Sequence, residues 1–134
     1  MAVSVFVGTF FVTAVVEDQS GPVTQVPAGT NSASYVVEVE NGSTLPHDVE
    51  VHCEIPTQSP KLQFSHPTGQ SSSWSAKVHK LPSVAKSKDT CPLAAIVLGN
   101  DRIQCFEVWY RLNAQFGWTK DRSNLPVAMQ ITVT

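Results

Sequence analysis

The sequence predicts a mainly β domain that closes with a short helix, and three observations carry that expectation. The first half of the stretch Ile103 to Leu125 alternates strictly, with Phe106, Val108, Tyr110 and Leu112 on one side and Glu107, Trp109, Arg111 and Asn113 on the other. A period of two over that length marks a strand with one dry and one wet face. Three further stretches repeat the alternation: Tyr35 to Glu40, Val49 to Ile55, and Trp74 to His79. At Gly117 the pattern changes, and Thr119 followed by Lys120-Asp121-Arg122 has the form of an N-cap opening a helical turn.

Taken in order, Val3 to Val16 is strand-like, with Gly8 permitting a bulge. Glu17 to Pro22 is dense in turn residues, and Val23 to Val26 can return as a short antiparallel partner. Asn41-Gly42 is a tight-turn dipeptide, which also accounts for the glycosylation sequon Asn41-Gly42-Ser43. Pro56 to Gln70 reads as a loop tacked down by Leu62 and Phe64, and Ser83 to Thr90 as a polar, lysine-bearing loop. Gly99-Asn100-Asp101 reads as a hairpin tip leading into the long strand. In the tail, Gln130 to Thr134 favours strand by its β-branched content. The organisation expected is one domain over 1–134, with an N-terminal hairpin over 1–26, a main sheet over 35–116, and a helical turn and tail over 117–134.

Composition narrows the function classes. At 134 residues, 42% of them hydrophobic, the chain can bury a single core. A net charge of −2 gives no bulk attraction to nucleic acid or membrane. The apolar N-terminus lacks a basic leader and is too short to span a bilayer, so the mature chain is expected to begin near Met1 and no membrane partner is expected. Three cysteines at irregular spacing argue against a disulfide framework or zinc site; Cys53 and Cys105 are expected as buried thiols and Cys91 as a loop thiol. His47, His52, His66 and His79 form no metal-binding pattern, and His52 and Cys53 would point to opposite strand faces. No catalytic residues, cofactor or metal are expected, and an enzyme is not.

The order of these segments resembles the coat proteins of single-stranded RNA bacteriophages. Leu45-Pro46 followed by Val49 to Ile55 and Gln58-Ser59-Pro60 is similar to that family's central strand and polar turn. Trp74 to Val78, closed by Leu81-Pro82, resembles the next strand, and Phe106 to Phe116 with Thr119 to Leu125 resembles the last strand and the start of a C-terminal helix. These patterns of residue type cover roughly residues 23–128. The resemblance implies a homodimer sharing one continuous antiparallel sheet. It further implies assembly into an icosahedral shell around single-stranded RNA, hence a virion protein assembled in a bacterial cytoplasm. Carried over residue by residue, RNA-contacting positions fall at His52, Glu54, Ser75, Lys77, Trp109 and Arg111. Lys86, Lys88 and Cys91 fall in or beside a loop that meets other subunits.

On this reading the apolar face of the sheet comprises Tyr35, Val37, Val49, Val51, Trp74, Val78, Phe106, Val108, Tyr110 and Leu112. The inward face carries Glu38, Glu40, Glu50, Glu54 and Glu107 against Lys77 and Arg111, which opposes phosphate binding. Only Ser123 to Thr134 follow the helical turn, too little for the family's second helix. The same run of short alternating strands equally fits an immunoglobulin-like β-sandwich used for adhesion or ligand binding.

Overall fold

The computed structural model describes residues 2–122 and 127–134. Its N-terminal apolar run is broken by Gly8, which takes a left-handed φ of 58°. A side chain there would collide with the carboxylate of Asp121, so the turn both needs and has glycine. The run therefore splits into β1 (Val3–Val7) and β2 (Phe10–Asp18), an antiparallel hairpin with Val3 opposite Ala14. Sequence reasoning placed the return strand at Val23 to Val26. The return against β2 is instead β3 (Gly21–Pro22), just before that segment, and the segment itself supplies β4 (Gln25–Val26), which pairs elsewhere.

The remaining strands are β5 (Thr30–Asn41), β6 (His47–Glu54), β7 (Leu62–His66), β8 (Gly69–Ser71), β9 (Ser73–Leu81), β10 (Lys86–Ala95), β11 (Gly99–Arg111), β12 (Thr119–Lys120) and β13 (Val127–Val133). They form two sheets. The first runs β1-β2-β5-β10-β7-β8, and the second β4-β13-β11-β6-β9 with β12 beside β11. All pairings are antiparallel except β4 with β13. The chain passes back and forth between sheets, so strands adjacent in sequence mostly lie in different layers.

One core lies between the layers. The first sheet contributes Phe10, Val12, Tyr35, Val37, Phe64 and Leu93, and the second Val49, Val51, Ile103, Val108 and Ile131. Rings interlock across it: Tyr35 and Phe64 meet Trp74 at 6.3 and 5.8 Å, and Phe10 meets Tyr110 at 5.4 Å. Such offset and edge-on pairs add to the burial of the rings themselves.

Four expectations are corrected here. Among the described residues there is no helix: Thr119–Lys120 pairs with Trp109 and Tyr110 as a strand, and the Asp121 N–H bonds to the Val108 carbonyl. That pairing competes with helix capping at Thr119 and wins; residues 123–126 of the predicted turn and tail lie outside the described residues.

Lys86, Lys88 and Cys91 are strand residues rather than loop residues, Lys86 being the first after the turn at 82–85. They belong to β10, the strand between β5 and β7, where Lys86 faces Glu40 and Lys88 faces Glu38. Opposite charges across neighbouring strands support such pairing, which local polarity alone cannot reveal. Cys91 is buried at 4% exposure. Leu62 and Phe64 likewise belong to a fully formed strand, β7, paired with β10.

The predicted main sheet is divided. Tyr35 and Val37 lie in one layer and Val49, Val51, Val78 and Val108 in the other, facing each other across the core. The acidic residues divide too, with Glu38 and Glu40 on the outer side of the first sheet and Glu50, Glu54 and Glu107 on that of the second.

The fourth correction concerns the cysteines. Cys53 and Cys105 stand directly opposite each other on β6 and β11, with Cα atoms 3.9 Å apart, and are joined by a disulfide. The Tyr35 hydroxyl, on the other sheet, donates to the Cys105 sulfur at 3.2 Å. Burial pushes the Tyr35 phenol well above its ordinary range, so it remains a donor.

Candidate ligand-binding face

Three strands of the second sheet build a polar and aromatic outer surface. Along β6, Val49, Val51 and Cys53 face the core, so Glu50, His52 and Glu54 face outward. On β9 the outward positions are Ser73, Ser75 and Lys77, and on β11 they include Glu107, Trp109 and Arg111. Register sets the neighbours: Glu50 lies between Lys77 and Trp109, and His52 between Ser75 and Glu107.

At the centre of the face, His52 has Nε2 3.3 Å from Glu50 Oε1 and Nδ1 3.5 Å from Glu107 Oε2. Its ring stacks on Trp109 with centroids 5.9 Å apart. The Trp109 indole N–H donates to Glu107 Oε2 at 2.8 Å, and Lys120 Nζ reaches Glu107 Oε1 at 3.5 Å. These contacts, the indole bond foremost, hold the Glu107 carboxyl below its usual range.

Toward one end, Arg111 Nε donates to Asp48 Oδ2 at 3.0 Å while its guanidinium lies 4.3 Å above the Trp118 ring. Asp48 is buried, which alone would raise its pKa. The Lys80 backbone N–H at 2.9 Å and the charge of Arg111 outweigh burial and lower it.

The six residues singled out from the sequence are thus all on one surface. By register His52, Ser75, Lys77 and Trp109 lie about its centre, Arg111 toward one end, and Glu54 nearer the other, accepting from Gln104 Nε2 at 3.3 Å.

Phe106 departs from its expected place. A bulge between Cys105 and Glu107 inserts it as an extra residue, which turns it to the outer side, 6.4 Å from the His52 ring. The sequence does carry a sign of this: Ile103 and Cys105 have odd parity while Val108 and Tyr110 have even, so the buried face must change phase between them. Leu112, also expected on the apolar face, is exposed past the end of β11.

Sequence reasoning gave no role to Trp118 or His66. Trp118 is separated from Arg111 by seven positions, and His66 comes from the other sheet. Among the described residues, no three His, Cys, Asp or Glu side chains are grouped to hold a metal ion. Compared with known proteins, the chain matches no family model and no curated sequence.

Proposed function

We propose that the chain is an immunoglobulin-like β-sandwich module that binds a ligand or partner through the outer face of its second sheet. Setting aside the N-terminal hairpin and the shortest strands, β2-β5-β10 packs against β13-β11-β6-β9, an arrangement consistent with the two-sheet Greek-key plan of such modules. The observation that carries the binding half is the cluster of His52, Trp109, Arg111, Lys77 and Glu107 on one outer surface. Charged and aromatic side chains gathered on a rigid sheet are more than solubility requires. The Cys53–Cys105 disulfide supports a working place in an oxidising compartment, outside the cytoplasm.

Two measurements test the reading together. Fluorescently labelled, oxidised protein is expected to bind saturably to intact cell surfaces. A Lys77→Ala/Trp109→Ala variant should lose that binding, while Lys88→Ala, on the outer side of the other sheet, should keep it. In sedimentation velocity the protein should run as a small species. Large closed particles would instead favour the shell-subunit function implied by the coat-protein resemblance. A small species that binds no surface tested would overturn the module reading.

A further inference from the structure

An open groove of about 730 Å³ adjoins the central cluster, running between the second sheet and the β7–β8 hairpin of the first. Its walls come from both layers: Glu50, His52, Ser75 and Lys77 on one side, and His66 and Thr68 on the other. The bulge in β11 supplies a half-buried aromatic ring, Phe106, to the same lining. Counted back from Val108 the alternation would send position 106 into the core; the bulge lets it follow Cys105 outward instead.

The geometry discriminates between kinds of ligand. An extended peptide would dock by adding a strand to the free edge of β9. Two of the backbone groups that edge would offer are already taken: the Lys77 N–H donates to Asp89 Oδ2 at 2.9 Å, and the Ser73 carbonyl accepts from His66 Nε2 at 3.0 Å. Side chains guarding an edge in this way block strand addition. A nucleic acid would bring phosphates past Glu50 and Asp89 with Lys77 as the groove's one cation among the lining residues, a poor electrostatic match. What remains is a ligand that wants many neutral and anionic hydrogen-bond partners plus an apolar ring to lie on. Serine and threonine hydroxyls, two carboxylates and two imidazoles around Phe106 meet that description.

We propose that this groove binds a neutral oligosaccharide, one sugar ring packed on Phe106 and its hydroxyls bonded by Glu50, His52, Ser75 and Lys77. The proposal rests on the reading of the chain as a binding module and names its ligand class. Apart from Thr68, in the β7–β8 turn, the named side chains stand on strands, so the groove is largely preformed.

The test is to titrate the oxidised full chain with maltohexaose, cellohexaose, xylohexaose, mannohexaose and chitohexaose while following the ring-proton resonances of His52 and His66. At least one hexasaccharide should shift both. Glu50→Gln, which keeps the side chain's shape, should weaken that binding about tenfold, the worth of one charge-assisted hydrogen bond. Phe106→Ala should weaken it at least as much, and Lys88→Ala should leave it unchanged. No shift with any of the five overturns the proposal, as does a shift indifferent to both groove variants. Shifts caused by single-stranded oligouridylate but by no sugar would assign the groove to nucleic acid instead. If cell-surface binding persists while every hexasaccharide is silent, the saccharide assignment fails and the module reading stands. If surface binding is absent as well, both fail.

Discussion

At the scale of single residues, Asn41 shows how one side chain can serve two loops. It is fully buried at the end of β5. Its Nδ2 donates to the Leu45 and Leu81 carbonyls at 2.9 and 3.0 Å, and its Oδ1 accepts from the Ser43 N–H and hydroxyl. Replacing it with alanine would take this donor from the buried Leu81 carbonyl and undo the turn at Ser43, and Asn41→Ala should cost about 3 kcal/mol in urea unfolding. The same burial predicts that the sequon stays unglycosylated: intact mass after expression in a glycosylating host should equal the mass of the bare folded chain.

Asp48 makes a pH prediction. Its folded-state pKa lies below the unfolded one, so the ionised carboxylate stabilises the fold above about pH 4 and that stability is lost as pH falls through the lowered value. Arg111→Ala should cost about 2 kcal/mol at neutral pH by leaving Asp48 buried without its cation. It should also flatten the acid limb of a urea-midpoint profile. A profile as steep in the variant as in the parent would contradict this account.

At the scale of elements, β10 and β11 show where local sequence misleads. The stretch from Lys86 to Thr90 has the polarity of a loop, yet pairing with β5 gives each lysine a glutamate opposite and makes it a strand. A consequence is that Cys91 is shielded, and burial pushes its thiol pKa up. A thiol-reactive disulfide reagent should therefore modify Cys91 at the rate of unfolding rather than at the rate of a free thiol; rapid modification of native protein would return it to a loop. In β11 the alternation is real on both sides of position 106 but changes phase there. A bulge costs one unpaired residue and redirects one side chain, and here the side chain redirected lines a groove.

At the scale of the whole molecule, the two sheets are fastened by a shared core, and the second sheet is further cross-linked within itself. The disulfide closes a separation of 52 residues, which by loop entropy is worth roughly 3–4 kcal/mol. Reduction should lower the urea midpoint correspondingly without abolishing the β signature in circular dichroism, because Cys53 and Cys105 are two of many buried side chains and the rest of the core stays in place. A midpoint unchanged by reductant would show that the two thiols are not joined in the native protein.

The strands centred on Val37, Val51, Val78 and Val108, and the outward placement of His52, Ser75, Lys77, Trp109 and Arg111, follow from the sequence by itself. The period of two is a property of the extended backbone and needs no partner. Which strands share a sheet, the union of Cys53 with Cys105 and the burial of Cys91 were decided by tertiary structure alone. Each depends on which strand lies alongside and in what register, and alternation reads the same whichever neighbour supplies the hydrogen bonds.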